Sequence, residues 1–314
     1  MPRYVRQMIR LPFPTARRRA RACLALVLAT SLAACSGTGA TVLNALTPSA
    51  GYSVQHDLTY GQDPRQRLDL YVPDGATADA PLLIFFYGGN WQSGAKELYG
   101  FAGQAFASRG YVTAIPDYRL YPQVRYPAFI EDAAAAVAWL HAREPGRPIH
   151  LVGHSAGAYL AAMLALDPRW LGAHGAMPCA LVAAAVGLAG PYDFLPLQDP
   201  TLQQIFGPGP ASPDSQPIHH VSPDAPPMLL LTGDADRTVW PRNSQALAQR
   251  LAADGVPAEL RVYEGIGHVG IVAALGAPLR FVAPTLADAD AFLRSTGAQP
   301  RRICAPGPAV AKVS

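Results

Sequence analysis

A serine between two glycines is the residue of this chain best placed for covalent chemistry. Residues 153–157 read Gly-His-Ser-Ala-Gly, between an apolar run at 148–152 and an alanine-rich helical pattern at 159–166. At a strand-to-helix junction, a G-x-S-x-G pattern holds the serine on a sharp turn with its hydroxyl exposed. Ser155 is therefore a candidate nucleophile for acyl transfer. The same five residues can also form an ordinary packing turn, so the assignment depends on partners elsewhere in the chain.

The base that Ser155 requires is predicted at His268. A serine hydroxyl is a poor nucleophile at neutral pH and needs a base within hydrogen-bond reach, which in turn needs an orienting acid. Three histidines, His219, His220 and His268, lie well downstream of the serine. His268 alone follows the acidic loop at 231–241, and it lies in a glycine-containing loop after a predicted strand. This order favours His268 as the base, against the alternative of a surface histidine.

The acid has three candidates. Residues 231–241 read Leu-Thr-Gly-Asp-Ala-Asp-Arg-Thr-Val-Trp-Pro, a strand end and a glycine turn that carry Asp234 and Asp236. An aspartate in such a turn can instead hydrogen-bond to its own backbone, which is the alternative role for either residue. Asp193 follows an earlier predicted strand and is a weaker candidate. A triad needs only one of these carboxylates.

A glycine-rich segment supplies the third requirement, donors for a developing negative charge. Residues 87–91 read Tyr-Gly-Gly-Asn-Trp and follow the apolar run at 82–86. Glycines let backbone N–H groups point at an oxyanion, and each such donor is worth about 3 kcal/mol in the transition state. The alternative is a simple strand-ending turn.

The N-terminus has the composition of a secretory signal. Residues 1–34 hold seven arginines and no acid, and an apolar run at 22–34 follows the arginines. This run is shorter than the about 20 residues that span a bilayer. It ends in Leu-Ala-Ala-Cys35, which resembles a bacterial lipobox. The resemblance implies cleavage before Cys35, a lipid on its sulfur and, because Ser36 rather than aspartate follows, a place in the cell envelope at the periplasm or outer membrane. An ordinary signal peptide with an incidental Cys35 is the alternative.

Removal of the signal changes the charge of the chain. The full sequence is formally +3, but without residues 1–34 it keeps 18 basic against 22 acidic side chains. No dense basic stripe remains, so we expect no nucleic-acid partner. About 280 residues with abundant apolar side chains predict one large α/β domain. Cys179 and Cys304 could form a disulfide in an oxidising compartment, a pairing that the sequence leaves open. No Cys/His spacing typical of a metal site is present.

Strand and helix patterns alternate along most of the chain, which predicts a mostly parallel central sheet flanked by helices. An opening hairpin is expected at 53–72. The predicted organisation is a lipoprotein signal peptide at 1–34, a tether at 35–50, an α/β domain at 51–297 and a disordered tail at 298–314.

These motifs and their order resemble the alpha/beta-hydrolase fold over residues 52–295. The similar branch holds hormone-sensitive-lipase-like and BD-FAE-like esterases and kynurenine formamidase. Residues 87–91 are similar to the H-G-G-x-W segment of small carboxylesterases, with Tyr87 in place of histidine, and 117–120 (Asp-Tyr-Arg-Leu) also match. His154 stands where lipase-like members have aspartate, which favours the small esterases. The resemblance implies no large separate cap domain, so the roof of the site is expected from residues 191–227 as an irregular lid.

The resemblance also assigns roles to individual residues. It implies Asp236 rather than Asp234 as the acid, and an oxyanion hole formed by the backbone N–H groups of Gly89, Asn90 and Ala156. The expected activity is hydrolysis of short-chain carboxylic esters through an acyl-enzyme, with no metal or organic cofactor.

Three alternatives to a simple carboxylesterase stay open at this point. An amidase such as an arylformamidase would use the same triad. An acetyl esterase would act on a glycan-linked rather than a small-molecule ester. A non-catalytic lipoprotein would keep the fold without the reaction.

Overall fold

The apolar runs of the sequence become the strands of a buried sheet. The computed structural model describes residues 37–207 and 213–297 of the chain. In this part, the strands are β1 (Tyr52–Thr59), β2 (Arg67–Pro73), β3 (Leu82–Phe86), β4 (Val112–Pro116), β5 (Ile149–His154), β6 (Val182–Leu188), β7 (Met228–Gly233) and β8 (Ala258–Tyr263). They form one sheet in the order β1-β2-β4-β3-β5-β6-β7-β8. β1 and β2 form the predicted antiparallel hairpin, β2 pairs antiparallel with β4, and all other pairs are parallel.

Helices connect the parallel strands and cover the sheet. Their bounds are α1 (Gly37–Ala45), α2 (Gly100–Ala107), α3 (Ala128–Arg143), α4 (Ala156–Leu166), α5 (Pro168–Gly172), α6 (Pro178–Leu181), α7 (Pro200–Phe206), α8 (Arg242–Ala253), α9 (His268–Ala273) and α10 (Thr285–Gly297). Every residue of β3 and β5 is buried, as expected for strands covered on both faces. This is the alpha/beta-hydrolase fold, as the family resemblance implies.

The change of helix layer between β3 and β5 determines where a site can form. The helix after β3 is α2, which packs beside α10, whereas the helix after β5 is α4, which packs beside α3. In parallel sheets the loops at the carboxyl ends of such neighbouring strands diverge and leave a crevice between them. The glycine-rich segment follows β3 and Ser155 follows β5, so the fold brings both to this crevice.

Within the predicted tether at 35–50, the residues Gly37–Ala45 form a helix that packs on the domain. Leu43 of α1 is buried in the main hydrophobic core. The Asn44 side chain accepts a hydrogen bond from the Phe101 N–H at 2.8 Å and donates to the Glu97 carbonyl at 2.7 Å. The small and polar composition suggested a linker. The burial of Leu43 and the two hydrogen bonds of the Asn44 side chain instead hold the segment on the domain.

Several predicted features fall outside the described residues. These are the signal peptide at 1–34, the lipidation site Cys35 and the tail at 298–314. Cys179, in α6, is disulfide-bonded, and Cys304 also lies outside the described residues. Among the residues described, no helix has both the length and the apolar composition needed to cross a bilayer.

Candidate active site

Ser155 occupies a strained turn between β5 and α4. Its φ is +54° with ψ −123°, a conformation that costs a residue other than glycine about 1–3 kcal/mol. The turn is tight on both sides: a Cβ on Gly157 would lie 2.0 Å from the Phe86 carbonyl oxygen, and one on Gly153 would lie 2.2 Å from the Gly157 carbonyl oxygen. Both glycines are therefore needed for close packing, and that packing holds the serine hydroxyl in the crevice.

His268 joins Ser155 to Asp236. Its Nε2 atom lies 2.9 Å from Ser155 Oγ, and its Nδ1 atom lies 2.8 Å from Asp236 Oδ2. His268 is the first residue of α9, and Asp236 lies in the turn after β7 with its side chain fully buried. Because a carboxylate can only accept, Nδ1 carries the proton, and Nε2 keeps a lone pair for the serine hydroxyl. This is the geometry of a nucleophile, a base and an orienting acid.

The three candidate acids have different environments. Asp236 accepts hydrogen bonds at Oδ1 from the Thr238 and Val239 N–H groups, which hold the other oxygen towards the histidine. Asp234 is exposed and accepts from the Gly265 N–H at 2.7 Å, in the turn-stabilising role considered for it. Asp193 is exposed. The structure therefore brings Asp236, and neither of the others, to His268.

The other downstream histidines make contacts unrelated to Ser155. His219 is exposed, and the Nε2 atom of His220 lies 2.7 Å from the Asp214 carbonyl oxygen. Among the described residues, His268 is the one histidine within hydrogen-bond distance of the serine hydroxyl.

The glycine-rich segment lies against the serine. A Cβ on Gly88 would be 2.9 Å from Ser155 Cβ, and Gly89 has a φ of +137°. Asn90 has a φ of +55°. The N–H groups of Gly89, Asn90 and Ala156 have no hydrogen-bond acceptor among the described residues. Ala156 is the first residue of α4, where N–H groups have no partner within the helix. These N–H groups are therefore the candidate donors to an oxyanion formed at Ser155.

Tyr87, the first residue of the glycine-rich segment, is fully buried. Its hydroxyl donates to Asp117 Oδ1 at 2.6 Å and accepts from the Arg65 guanidinium at 2.9 Å. Arg65 also donates to the carbonyl oxygens of Gly94 and Tyr118. Burial raises the pKa of the Asp117 carboxyl and raises the pKa of the Tyr87 hydroxyl well above its usual range. Sequence reasoning missed Arg65, because no motif marks an arginine in the loop between β1 and β2.

Aromatic side chains connect the glycine-rich segment to the predicted lid. Trp91 is buried and packs edge-to-face on Phe206, with ring centroids 4.9 Å apart, and on Tyr159 at 5.2 Å. Phe194 stacks on the same indole at 6.0 Å. Phe194 and Phe206 come from the segment predicted as the lid, whose described part holds α7 and two short 3-10 turns. The predicted lid segment therefore packs on Trp91, which directly follows Asn90.

His154, which the sequence marked only as a departure from the lipase-like pattern, lies beside His268. It is 1 % exposed, and its ring centroid lies 4.8 Å from that of His268. Its Nε2 atom lies 3.0 Å from the His268 carbonyl oxygen. Burial, with the neighbouring charge of His268 as a smaller cause, lowers the pKa of His154 to about 3.

Comparison with known proteins gives a family match and several relatives. The BD-FAE family matches residues 68–251. A probable isoprenylcysteine alpha-carbonyl methylesterase of Oryza sativa subsp. japonica is 31 % identical over 72 % of this chain and 59 % of its own length. Esterase LipC of Mycobacterium tuberculosis is 31 % identical over 64 % of this chain and 56 % of its own. Kynurenine formamidase of Drosophila melanogaster is 26 % identical over 72 % and 78 %.

The chain spans only about half to three-fifths of the length of the plant isoprenylcysteine methylesterases that it matches. Among solved structures, the butyrate-bound thermophilic esterase Est2 of Thermogutta terrifontis superposes with a TM-score of 0.63 at 26 % identity, over 79 % of this chain and 95 % of that one. The proteins to which this chain is similar in sequence and fold therefore include carboxylic ester hydrolases.

Proposed function

The chain belongs to the BD-FAE family of alpha/beta-hydrolase-fold esterases, and from this membership we propose that it hydrolyses short-chain carboxylic esters. The observation that carries the proposal is the pair of hydrogen bonds that links Ser155 through His268 to Asp236. The similarity to a butyrate-bound esterase supports a short acyl group.

The first half of the reaction forms an acyl-enzyme. The Oγ atom of Ser155 attacks the ester carbonyl carbon while Nε2 of His268 takes its proton. The carbonyl oxygen becomes an oxyanion, which the N–H groups of Gly89, Asn90 and Ala156 bind. His268, now a cation, is stabilised by Asp236. Collapse of the intermediate breaks the bond to the alcohol oxygen, and His268 returns the proton to the leaving alkoxide.

The second half releases the acid. Water takes the place of the alcohol, His268 removes one of its protons, and the resulting hydroxide attacks the acyl carbonyl carbon. The same three N–H groups bind the second oxyanion. The bond to Oγ breaks, His268 returns the proton to Ser155, and the carboxylic acid leaves. These steps need no group beyond the side chains and backbone named.

A fluorophosphonate probe tests the nucleophile directly. We expect it to label the wild-type protein and not Ser155→Ala, and we expect the wild type to hydrolyse p-nitrophenyl acetate and butyrate. If the wild type is folded but is neither labelled nor active on either ester, the proposal fails and the non-catalytic lipoprotein alternative replaces it. The exposed residue Asp193 supplies a control, because Asp193→Asn should label as wild type does.

An arylformamidase-type amide hydrolase is the second candidate activity. It is favoured by the similarity to Drosophila kynurenine formamidase, which covers 72 % of this chain, and it would use the same triad. Kinetics with phenyl acetate and N-formyl-kynurenine separate the two activities. A higher kcat/KM for the formyl amide would replace the carboxylesterase assignment. Release of acetate from acetylated xylan tests the glycan-linked ester alternative in the same assay series.

We also propose that a lipid on Cys35 anchors the protein in a bacterial cell envelope, at the periplasm or outer membrane. The support is the arginine-rich start, the apolar run and the lipobox-like residues before the cysteine. Metabolic labelling with a palmitate analogue should mark the wild type, and Cys35→Ala should lose the label. Equal labelling of both would contradict the anchor.

A further inference from the structure

The second residue of the serine pentapeptide touches three parts of the candidate site. His154 precedes Ser155 directly, so its backbone leads into the strained turn. Its Nε2 atom is 3.0 Å from the carbonyl oxygen of His268. Its Nδ1 atom would be 3.0 Å from a Cβ on Gly88, in the segment that carries the oxyanion donors. The imidazole therefore fills the space between the glycine-rich segment and α9.

The protonation of this imidazole is determined by its contacts. A carbonyl oxygen only accepts hydrogen bonds, so Nε2 of His154 must carry a proton and donate it to His268. The Nδ1 atom is buried and has no hydrogen-bond partner among the described residues, so no acceptor there stabilises a second proton. The ring is held neutral, and a cation 4.8 Å from His268 would oppose the positive charge that His268 gains during catalysis.

The donated hydrogen bond acts on the backbone of His268, not on its ring. His268 is the first residue of α9 and follows Gly267, whose backbone conformation is extended. The helix start therefore depends on contacts outside the helix to hold the imidazole at 2.9 Å from the serine hydroxyl. The His154 N–H supplies such a contact at the His268 residue itself.

We propose that His154 is a positioning residue of the esterase site: its neutral Nε2–H holds the His268 carbonyl and so keeps the His268 imidazole in reach of Ser155. The proposal rests on the proposed ester hydrolysis. His154 does not touch the substrate or the reacting atoms, so its removal should lower kcat and leave KM nearly unchanged.

Two substitutions test the role. His154→Leu introduces an apolar side chain of comparable size and removes the donor, whereas His154→Gln retains an N–H donor, now on an amide, with a similar reach. We expect His154→Leu to lower kcat by about 10- to 100-fold, since a displacement of about 1 Å is worth about 100-fold. KM should change by less than about two-fold, and His154→Gln should recover most of kcat. Thermal unfolding of each variant verifies that the assays use folded protein.

His150 provides a matched control in the same strand. It is 3 % exposed, and burial lowers the pKa of its imidazole to about 4, but it packs on Tyr111 rather than on the triad. His150→Leu should keep the wild-type kcat. If His154→Gln and His154→Leu lose kcat equally, or if His150→Leu loses as much as His154→Leu, the positioning role is wrong.

Fluorophosphonate labelling separates this proposal from the proposed function. A wild-type protein that is not labelled and does not hydrolyse esters contradicts the esterase assignment. A labelled, active wild type whose labelling rate is unchanged in His154→Leu contradicts only the positioning role. We expect slower labelling in His154→Leu and near wild-type labelling in His154→Gln.

Discussion

The carboxylate of Asp236 lies 2.8 Å from Nδ1 of His268 and is fully buried, with two backbone N–H groups on its other oxygen. Asp234, two residues earlier, instead accepts from the Gly265 N–H in an exposed turn. One short loop thus carries one carboxylate that orients the histidine and one that stabilises the turn.

Replacing each aspartate by asparagine distinguishes these roles. Asp236→Asn should lower kcat by about 10³- to 10⁴-fold, because an amide can hold the histidine in the wrong tautomer. Asp234→Asn should change kcat by no more than about two-fold, as expected for an exposed substitution. Steady-state kinetics on p-nitrophenyl acetate measures both. Equal losses would contradict the assignment of Asp236 as the orienting acid.

Tyr87→Phe tests the support beneath the glycine-rich segment. The change leaves the Asp117 carboxylate and the Arg65 guanidinium without the shared hydroxyl, so we expect a loss of about 1–3 kcal/mol in the free energy of unfolding. Activity should fall at the same time, because the network supports the predicted oxyanion donors. Urea unfolding and ester hydrolysis measure the two effects.

Tyr71→Phe is the control for this change. Tyr71 is also buried, but its ring packs on Tyr52 rather than on the network of Arg65, Tyr87 and Asp117. It should keep wild-type stability within about 0.5 kcal/mol. A Tyr87→Phe variant that is as stable and active as Tyr71→Phe would show that the hydroxyl network has no role.

Gly88→Ala should abolish most activity. The added methyl would meet Ser155 Cβ at 2.9 Å and the His154 carbonyl oxygen at 3.0 Å, so the serine turn or the glycine-rich segment must move. Such a displacement costs about 100-fold in rate per ångström. Gly267→Ala, next to His268, is the control, since its methyl would lie no closer than 3.8 Å to the atoms around it. Activity of Gly88→Ala comparable to that of Gly267→Ala would contradict this packing argument.

The buried histidines predict a loss of stability at mildly acidic pH. Burial lowers the pKa of His150 from 6.5 to about 4 and that of His154 from 6.5 to about 3. Below pH 6.5 these two histidines bind protons in the unfolded chain but stay neutral in the folded chain. The free energy of unfolding therefore falls as the pH drops from 6.5 towards 4. Each histidine contributes up to about 1.4 kcal/mol per pH unit in this window and nothing above it.

His150→Leu isolates one of these contributions. Urea unfolding between pH 7 and 4.5 should show a slope that is smaller than that of the wild type by about 1 kcal/mol per pH unit. The two slopes should converge above pH 6.5, where the imidazole is neutral in both states. Identical slopes at acidic pH would mean that His150 becomes protonated in the folded protein.

Local patterns in the sequence were enough to predict the strands, the nucleophile and the base. Apolar runs predicted the strands, because a strand covered on both faces contains few polar residues. The pentapeptide around Ser155 and the later position of His268 predicted nucleophile and base, since each lies in the connection that follows a predicted strand. Chain order was enough for these assignments because carboxyl ends of parallel strands meet at one edge of the sheet.

The tertiary structure decided what depends on contacts between distant residues. Composition predicted a tether where α1 packs, because docking rests on Leu43 and Asn44 meeting partners more than fifty positions away. The residues alone left Asp234 and Asp236 both open, and the family resemblance favoured Asp236. The hydrogen bond of 2.8 Å between Asp236 and His268 is a feature of the tertiary structure alone. Arg65, Tyr87 and Asp117 form one network under the glycine-rich segment although no local motif joins them. Hydrogen bonds of this kind depend on distance and direction in space, which sequence spacing does not encode.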